Sequence, residues 1–381
     1  MKVTFLTNLV NHHQIPLADE LYKLLGNEYT YIALEELPEW LKKGGYQEIE
    51  RPYILRLYKN DTLVQKAKDL IDNSDVVIVG AAPEDYVKNR IKANKITFRY
   101  SERWFRTRPW YLHSPKAWKH FYTNHIRNKN KRLYVLAASA YTANDVYAIG
   151  AYKNKVYKWG YFTKVEEFDI DKAILLKRGN KLRILWCARF LTLKHPELPV
   201  ILAKRLKDEG YSFEINMYGN GIELKNTQKL IEKLNVADVV FLKGNLPNEE
   251  ILKEMRTHHI FLFTSDKREG WGAVLNESMS NGCAVVASQE IGAAPFLIKD
   301  GENGLLFKSE DINSLYNQVK KIIDDEGYRE ILSKNAYNIM YHKWNPRIVA
   351  ERFITLINNI INGNDTIYTD GPCSKAYPHR N

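Results

Sequence analysis

The sequence has few cysteines and no long apolar run, and both shortages exclude classes of protein. Its three cysteines, Cys187, Cys283 and Cys373, lack the spacing of a disulfide framework or a zinc site. No apolar run approaches the roughly 18 residues that a membrane-spanning helix needs. The start, MKVTFLTNLVNHH, lacks the apolar region and the cleavage site of a signal peptide. We therefore expect a globular protein of the reducing cytoplasm, and its 381 residues suit two domains.

Acidic residues are scarce in the segment at residues 88–132, where Glu102 is the sole acid among fourteen lysines and arginines. Aromatic residues, among them Trp104, Trp110 and Trp118, are interleaved with these cations. The whole chain carries a formal net charge of +11, which implies an anionic partner. Basic and aromatic residues together favour an anionic membrane surface or a lipid-linked acceptor. Two alternatives stay open: a solvated basic face over an aromatic core and, least favoured, single-stranded nucleic acid.

Apolar segments of strand type alternate with helical patterns along both halves of the chain. In the first half, strands are predicted at residues 2–7, 29–33, 75–80, 96–100 and 133–138. In the second half, they are predicted at residues 182–190, 212–218, 239–243, 260–264, 283–288 and 304–307. The alternation predicts an α/β fold of two Rossmann-like domains, each built on a parallel doubly wound sheet. A ligand is expected in a central cleft that the two domains face, beyond the carboxyl ends of the strands.

The pattern loosens near residues 161–177, which suggests a boundary between the two domains. We place an N-terminal Rossmann-like domain at residues 1–162 and a C-terminal one at residues 163–344. A helix follows at residues 345–361 and a polar tail at residues 362–381. Because the tail is polar and contains glycine, we expect it to be mobile.

The stretch REGWGAVLNESMSNG, at residues 268–282, carries the strongest chemical signal. It places Glu269 in a turn with Gly270 and Gly272, which let the backbone come close to a ligand. Glu277 lies about 12 Å further along the predicted helix, at 1.5 Å rise per residue. Amides at a helix start bind phosphate, and carboxylates accept hydrogen bonds from sugar hydroxyls. A nucleotide sugar satisfies this arrangement, although two glutamates near a helix start are also common because they complement the helix dipole.

Two cations lie near each other in the second half: Arg189 at the end of the first predicted strand and Lys194 in the loop that follows. A diphosphate leaving group gains negative charge as a glycosidic bond breaks, and fixed cations or a metal must stabilise that charge. The sequence has no convincing Asp-x-Asp metal motif, so these two cations are the candidates and no metal or other cofactor is expected. The alternative is that both are solvated loop residues.

Two further strand ends offer weaker candidates for the same ligand. Gly219 and Asn220, in the turn YGNG, permit close approach of the backbone to a nucleotide or phosphate. Lys243, in FLKGNL, lies at the next strand end, where backbone contacts to a base are expected. An ordinary loop between a strand and a helix explains both segments equally well.

The second half resembles the glycosyltransferase family 4 group of retaining glycosyltransferases, which have the GT-B fold. The resemblance rests on ARFLTLK, YGNG, FLKGNL, EGWGAVLNE, NGCAVVAS and GENGLLF, in this order over about residues 181–307. It implies two Rossmann-like domains, no obligatory metal, and a last helix that crosses back to the first domain.

The resemblance also implies roles for the residues of the second half. Arg189 and Lys194 would contact the donor diphosphate, Glu269 would approach the donor sugar, and Glu277 would hold the ribose. Residues 270–272 would meet phosphate or sugar through their backbone. With the strand-end residues above, the expected donor-binding set is Gly219, Asn220, Lys243, Gly270, Trp271, Gly272 and Glu277.

The first half departs from the family pattern at one place. Many members have a histidine after the strand predicted to end at residue 100, where it faces the donor sugar. This chain has Ser101, Glu102 and Arg103 there, so Ser101 or Glu102 takes that place or the position has lost the role. His12 and His13, in the loop after the first strand, are candidates for contact with acceptor or phosphate. They are equally well explained as polar loop residues without chemistry.

These residues predict an enzyme: a retaining glycosyltransferase of hexosyltransferase type that uses a nucleotide-diphosphate sugar. Its expected acceptor is a glycan or a lipid-linked molecule in surface polysaccharide biosynthesis, at the inner face of the membrane. The main alternative is a GT-B sugar-nucleotide epimerase, which needs no acceptor, or a phosphorylase, which consumes free phosphate. A nucleic-acid-binding protein ranks last, because it leaves the motifs of the second half unexplained.

Overall fold

The structure is a computed structural model, and it describes residues 1–39, 47–60, 62–106 and 114–379. Contacts along the chain divide it into two compact units. Unit 1 comprises Met1–Thr163 and Trp344–Asn381, and unit 2 comprises Lys164–Lys343. Unit 1 is therefore assembled from two segments, and unit 2 is one continuous segment between them.

Over the described residues, unit 1 is built on a parallel sheet of seven strands in the order β3-β2-β1-β4-β5-β6-β7. The strands are β1 Val3–Thr7, β2 Tyr29–Ala33, β3 Ile54–Arg56, β4 Val76–Val79, β5 Ile96–Ser101, β6 Leu133–Ala137 and β7 Val156–Lys158. Strand β4 reads VVIV and is wholly buried, as expected of a β-branched strand covered on both faces. The strand order reverses between β1 and β4, so their carboxyl ends form a switch point where such folds bind ligands.

The helices of unit 1 include one from the end of the chain. Among the described residues they are α1 Ile15–Leu25, α2 Leu63–Asn73, α3 Lys88–Lys92, α4 Pro115–Asn124, α5 Thr142–Ala148 and α14 Pro346–Ile361. Helix α14 begins after Asn345, whose side chain accepts a hydrogen bond from a backbone N–H of the first turn. It buries Val349, Phe353 and Leu356 at helical spacing and contacts α1. The helix predicted after the second domain is thus confirmed, and it lies in unit 1.

Residues 373–376 of the tail, which we expected to be mobile, pair with the edge of the unit 1 sheet. The N–H of Lys158 donates to the carbonyl oxygen of Ser374 at 2.8 Å, and the N–H of Ala376 donates to that of Val156 at 2.9 Å. Cys373 and Ala376 are fully buried. The expectation of mobility is wrong because polarity and glycine content do not show that the edge strand β7 offers backbone groups that need partners.

Unit 2, all of whose residues are described, has a parallel sheet of six strands in the order β10-β9-β8-β11-β12-β13. The strands are β8 Leu182–Cys187, β9 Phe213–Tyr218, β10 Val240–Gly244, β11 Ile260–Phe263, β12 Ala284–Ser288 and β13 Leu305–Phe307. The helices are α6 Ile170–Leu175, α7 Glu197–Asp208, α8 Leu224–Lys233, α9 Asn248–Thr257, α10 Ala273–Ser280, α11 Ala294–Leu297, α12 Ile312–Asp324 and α13 Glu326–His342. Apolar residues on one face of the sheet, such as Ile184, Ile215 and Leu262, form a core with the helices that cover that face.

The predicted strands of both halves form, with ends shifted by up to three residues. The largest shift is at residues 182–190, where β8 ends at Cys187 and a loop follows. Strands β3 and β7 are missing from the prediction. Each has only three residues and lies at an edge of the sheet, so neither gives an extended apolar pattern.

The basic segment at residues 88–132 is only partly a surface. Arg90 is 1% exposed, and its guanidinium donates to four backbone carbonyl oxygens between residues 71 and 96. Burial lowers the pKa of Arg90 to about 10. Arg99 is also buried, and its two terminal nitrogens donate to Glu84 at 2.6 and 2.8 Å. These two arginines therefore stabilise the interior of unit 1 and do not face an anionic partner.

Helix α4 carries an exposed part of that segment. Trp118 is 45% exposed and Tyr122 is 59% exposed, and they lie four residues apart on one side of the helix, with exposed Lys116 and Lys119 nearby. In the described part of the chain, no helix is both long and apolar enough to cross a membrane. Three residues of the predicted basic and aromatic surface lie outside the described residues: Arg108, Trp110 and Tyr111.

Candidate functional site

Two loops meet at the point in unit 2 where the strand order reverses between β8 and β11. The first loop, residues 188–195, follows β8, and the second loop, residues 264–272, follows β11. The hydroxyl of Thr264 donates to the carbonyl oxygen of Lys194 at 2.6 Å. The N–H of Asp266 donates to the carbonyl oxygen of the residue before Lys194 at 3.0 Å. These bonds fix the two loops to each other where a Rossmann-like fold binds its ligand.

Lys194 and Glu269 form a direct ion pair between these loops. Their side chains are only 13% and 14% exposed, so the pair is largely screened from water. The ammonium group of Lys194 also lies 5.7 Å from the centre of the Phe263 ring, a favourable position for a cation. The sequence predicted these residues for two parts of one ligand, and the structure places them in contact.

Helix α10 begins directly after the second loop, and the two glycines of that loop lie at its start. Gly272 has a φ of 91°, and a Cβ atom there would lie 2.6 Å from an aromatic ring of β11, so only glycine fits. Gly270 is buried. The indole of Trp271 is 1% exposed and donates to Asn276 at 2.9 Å. The Trp271 side chain therefore belongs to the core, and any contact with a ligand falls to its backbone.

Glu277 is a buried carboxyl group in helix α10, 8% exposed. Burial raises its pKa to about 7, against the effect of a hydrogen bond with Asn248. The charges of Glu277 and Lys194 both act on the thiol of Cys187 at the end of β8, whose pKa burial raises to about 12. Glu277 and Lys194 therefore border the same strand end. An acceptor that changes charge near neutral pH is typical of a functional site.

The remaining predicted donor residues lie at neighbouring strand ends. Arg189 is exposed directly after β8, and Lys243 is exposed in β10. A Cβ atom on Gly219 would lie 1.9 Å from a carbonyl oxygen of the first loop. The carbonyl oxygen of Asn220 accepts the N–H of Phe190 in that loop at 2.9 Å. The glycine turn is thus explained by packing against the first loop, and its contact with a nucleotide stays a prediction.

A cluster of charged residues beside the ion pair was missed by the sequence reasoning. His195 places Nδ1 2.8 Å from Glu197 Oε1 and Nε2 3.1 Å from Asp266 Oδ2. Arg268 donates to both carboxylate oxygens of Asp266 at 2.6–3.1 Å. The available signal is the concentration of polar residues at these strand ends, KHPE and TSDKRE, from which the prediction uses only the lysine of the first segment and the glutamate of the second.

Unit 1 has a cavity of about 510 Å³ at its own switch point, lined from the ends of β1, β4 and β5. The amide nitrogen of Gln14 donates to the hydroxyl of Tyr100 in its wall. Gln14 is 3% exposed, yet its Oε1 has no hydrogen-bond partner among the described residues. A buried acceptor without a donor is costly, so this atom suits a ligand hydroxyl.

His12 and His13 line this cavity, as their position after the first strand suggested. Their ring centres are 3.7 Å apart, and His13 stacks on Tyr161 at 5.7 Å. Burial lowers the pKa of His12 to about 4, and burial together with His12 lowers the pKa of His13 well below its ordinary value. Both rings are therefore neutral at pH 7. They can hydrogen-bond to an acceptor, but they do not supply positive charge to a phosphate.

Ser101, Glu102 and Arg103 line the same cavity, so the structure brings all five predicted residues of the first half together. Glu102 accepts a hydrogen bond from the hydroxyl of Tyr161 at 2.7 Å. The hydroxyl of Ser101 accepts a hydrogen bond at 2.7 Å from the indole N–H of the tryptophan that follows Arg103. The guanidinium of Arg103 lies 4.0 Å from Asp145, and its buried Nε has no hydrogen-bond partner in the described part of the chain.

Two groups of described residues bring possible metal ligands within 4.8 Å of one another. They are Glu84, His120 and His125 in unit 1 and His195, Asp266 and Glu310 in unit 2. Both donor sets fit a metal poorly, because an arginine already binds one carboxylate in each, Arg99 in the first and Arg268 in the second. That the activity needs no metal stays a prediction.

Comparison with known proteins gives the site a family context. Residues 167–339 match the model of the family described as glycosyl transferases group 1, a range that contains both loops. The chain is 26% identical over 192 residues to poly(glycerol-phosphate) alpha-glucosyltransferase of Bacillus subtilis, which covers 50% of this chain and 28% of that protein. It is 23% identical over 227 residues to the capsular polysaccharide biosynthesis glycosyltransferase CapM of Staphylococcus aureus, which covers 55% of this chain and 57% of that protein. The chain thus spans about half or less of the length of these curated relatives.

The solved structure of Anabaena HepE, determined in complex with UDP, superposes with a TM-score of 0.67. The match covers 94% of this chain and 100% of that one, at 15% sequence identity. At this identity the likeness shows the fold alone, and it confirms the predicted GT-B fold of two Rossmann-like units. Membership of family 4 and retention of configuration stay predictions.

Proposed function

We propose that the protein is a glycosyltransferase that moves a hexose from a nucleotide-diphosphate sugar to a glycan or lipid-linked acceptor. The observation that carries the proposal is the partly buried contact of Lys194 with Glu269 at the switch point of unit 2. Buried Glu277 lies on the helix that follows. The diphosphate of such a donor requires a cation, and the hydroxyl groups of its ribose and its sugar require hydrogen-bond acceptors. These groups occur together within the region similar to glycosyl transferases group 1.

Arg189 and Lys194 would stabilise the diphosphate as it leaves. Hydrogen bonds to charged groups contribute on the order of 1.5–3 kcal/mol each, so two bonds that strengthen as the bond breaks account for roughly two to four decades in rate. The incoming diphosphate competes with Glu269 for the Lys194 ammonium. Donor binding would therefore release the Glu269 carboxylate to accept hydroxyls of the donor sugar.

The nucleotide end of the donor would be held by Glu277, which accepts the ribose hydroxyls. The similarity to HepE, solved with UDP, makes uridine diphosphate the first nucleotide to test. We propose retention at the anomeric carbon by attack on the same face, with the leaving phosphate taking the acceptor proton. No metal is needed in this scheme, because the two fixed cations take its electrostatic role.

The cavity of unit 1 would take the acceptor. Its neutral histidines, Gln14 and tyrosines suit hydroxyl groups, and two cations, Arg103 and Arg106, also line it. The similarity to a capsular polysaccharide glycosyltransferase supports a glycan acceptor in surface polysaccharide biosynthesis, on the cytoplasmic side of the membrane. The exposed lysines and aromatic residues of α4 would bring unit 1 to an anionic lipid surface that carries such an acceptor.

The first test is binding of UDP and a panel of UDP- and GDP-sugars by calorimetry, followed by transfer to candidate acceptors. We expect Arg189→Ala and Glu269→Ala each to lower transfer roughly 10- to 100-fold. Lys321→Ala, an exposed lysine on α12, serves as the matched control and should leave transfer unchanged. Full transfer activity in both site variants would show that the site is assigned wrongly. Product analysis separates an epimerase, which needs no acceptor, from a phosphorylase, which consumes phosphate.

A further inference from the structure

His195 has an unusual backbone conformation for a residue with a side chain. It ends the short 3-10 helix Thr192–Lys194 with a φ of 48° and a ψ of 57°, in the left-handed region. Non-glycine residues adopt this region infrequently, because their Cβ atom approaches the carbonyl oxygen. His195 is only 8% exposed, so its ring points into the protein. Contacts of the ring must outweigh the strain of the backbone.

Both ring nitrogens of His195 face carboxylates. Nδ1 lies 2.8 Å from Glu197 at the start of α7, and Nε2 lies 3.1 Å from Asp266 in the second loop. Ionised carboxylates only accept hydrogen bonds, so the ring makes both bonds only when each nitrogen carries a hydrogen. Hydrogen bonds from Arg268 and His195 keep the pKa of Asp266 low despite its burial. The geometry therefore favours the doubly protonated, positively charged imidazolium.

His195 is connected to both loops of the proposed donor site. Lys194 is the preceding residue, and the carbonyl oxygen of His195 accepts from the Thr264 hydroxyl at 3.3 Å. On the other side, the carbonyl oxygen of Asp266 accepts the N–H of Glu269 at 3.0 Å. The bond between His195 and Asp266 therefore links the segment that carries Lys194 to the segment that carries Glu269.

We propose that His195, as an imidazolium bonded to Glu197 and Asp266, is a positioning residue that sets Lys194 and Glu269 for the donor. The inference rests on the proposed function, since it assigns Lys194 to the diphosphate and Glu269 to the sugar. The ring of His195 bonds to Glu197 and Asp266, whereas Lys194 and Glu269 pair with each other, so His195 acts on them through the loops. Its role is to hold the two loops at one spacing.

The positioning role depends on pH. The hydrogen bond to Glu197 and the bond to Asp266 raise the pKa of His195 above 6.5, against the lowering effect of burial. The charged groups that face the ring are Glu197 from α7, Asp266 and Arg268 from the second loop, and Glu310 from the loop before α12. A raised histidine pKa means that the link is complete below pH 6.5 and is lost as pH rises through the raised value. Donor turnover should therefore fall on the alkaline side.

The charge of the ring can be measured without any activity. Long-range proton–nitrogen NMR spectra of the full chain, labelled with ¹⁵N-histidine, distinguish the imidazolium from the neutral ring. The His195 signals are assigned by their loss in His195→Asn. At pH 6.5 we expect both nitrogens of His195 to be protonated, while buried His258, whose pKa burial lowers to about 3, is neutral in the same spectrum. A neutral His195 at pH 6.5 would overturn the proposal.

The effect on the site is measured with His195→Asn, because asparagine tolerates the left-handed region and carries no charge. We expect kcat for donor turnover to fall about tenfold, the acceptor KM to stay constant, and the alkaline decline to disappear. His342→Asn, an exposed histidine at the end of α13, is the control and should keep the rate and pH profile of the natural protein. Circular dichroism melts establish that both variants are folded.

A second variant keeps the test decisive if His195→Asn fails to fold. Glu197→Gln alters a partly exposed side chain and keeps an acceptor oxygen while it removes the charge. It should move the alkaline decline to a lower pH. An active natural protein whose profile is unaffected by either variant would contradict the positioning role. If the natural protein binds no nucleotide sugar, the proposed function fails, and the NMR spectra still decide the charge of His195.

Discussion

Burial of Glu277 makes a specific prediction about the balance between stability and binding. Its pKa is raised from 4.5 to about 7 because the carboxyl group is 8% exposed. At about 1.4 kcal/mol per pKa unit, ionising this group in the folded protein costs about 3 kcal/mol more than in the unfolded chain. We expect Glu277→Gln to remove most of this cost, since glutamine has the same shape and no charge.

The direction of the pKa shift determines the pH range in which Glu277 affects stability. Between about pH 4.5 and pH 7 the folded protein keeps a proton that the unfolded chain has lost, so the contribution of Glu277 to stability declines as pH rises through this window. Above pH 7 the full cost applies. The Glu277→Gln variant should therefore melt at a higher temperature than the natural protein at pH 8 and at nearly the same temperature at pH 4.5.

Glu277→Gln should weaken nucleotide binding, although it stabilises the fold at pH 8. If ribose hydroxyls donate to the ionised carboxylate, nucleotide binding favours the charged form and releases a proton near pH 7. Calorimetry in two buffers of different ionisation enthalpy measures that release. Glu277→Gln should abolish it and weaken UDP binding about tenfold, or about 1.4 kcal/mol.

Glu232→Gln, an exposed glutamate on α8, controls for the loss of a negative charge and should alter neither property. Two results would refute the reasoning about Glu277. One is a Glu277→Gln protein that is destabilised equally at pH 4.5 and pH 8. The other is UDP binding that releases no proton in the natural protein at pH 7.

Three further predictions concern the other residues of the two units. Lys194→Ala and Glu269→Ala should each lower transfer. Because the two partly buried side chains are in contact, the double variant should lose little more activity than the worse single variant. A double-mutant cycle should give a coupling energy of roughly 0.5–3 kcal/mol. Gln14→Met should raise the acceptor KM about tenfold and leave UDP affinity unchanged, since it removes the unpartnered Oε1 from the cavity of unit 1; an unchanged acceptor KM would argue against acceptor binding there. Trp118→Ala should reduce co-sedimentation with anionic vesicles at low salt, with neutral vesicles as the control; no binding by the natural protein would exclude a membrane role for α4.

The fold could be predicted to a large extent from the sequence, because buried parallel strands have a simple pattern. Strand β4, VVIV, is apolar on both faces and has few alternatives. The three-residue edge strands β3 and β7 have no such pattern, and both are missing from the prediction. The prediction for the tail is wrong for a related reason, since the backbone groups of β7 that residues 373–376 pair with cannot be inferred from the composition of the tail.

The candidate site could be predicted residue by residue but not as an arrangement. Lys194 and Glu269 were selected for their chemistry, yet their contact joins positions 75 residues apart and depends on the order of β8 and β11 in the sheet. The bond from Gln14 to Tyr100 spans 86 residues for the same reason. The role of His195 cannot be predicted from the segment KHPE, because it follows from a left-handed backbone and from a second carboxylate, Asp266, that lies 71 residues further along the chain.

The division of unit 1 into two chain segments has a consequence for how the protein is made. Strands β1 to β7 leave the ribosome first, but α14, which covers α1, and residues 373–376, which pair with β7, are synthesised after the 180 residues from Lys164 to Lys343. At roughly 5–20 residues per second, this delay is about ten to forty seconds. During that time unit 2 can complete its core, while the nascent first unit exposes the apolar side of α1 and the unpaired edge of β7. That interval is when chaperone binding or aggregation of the growing chain would be decided.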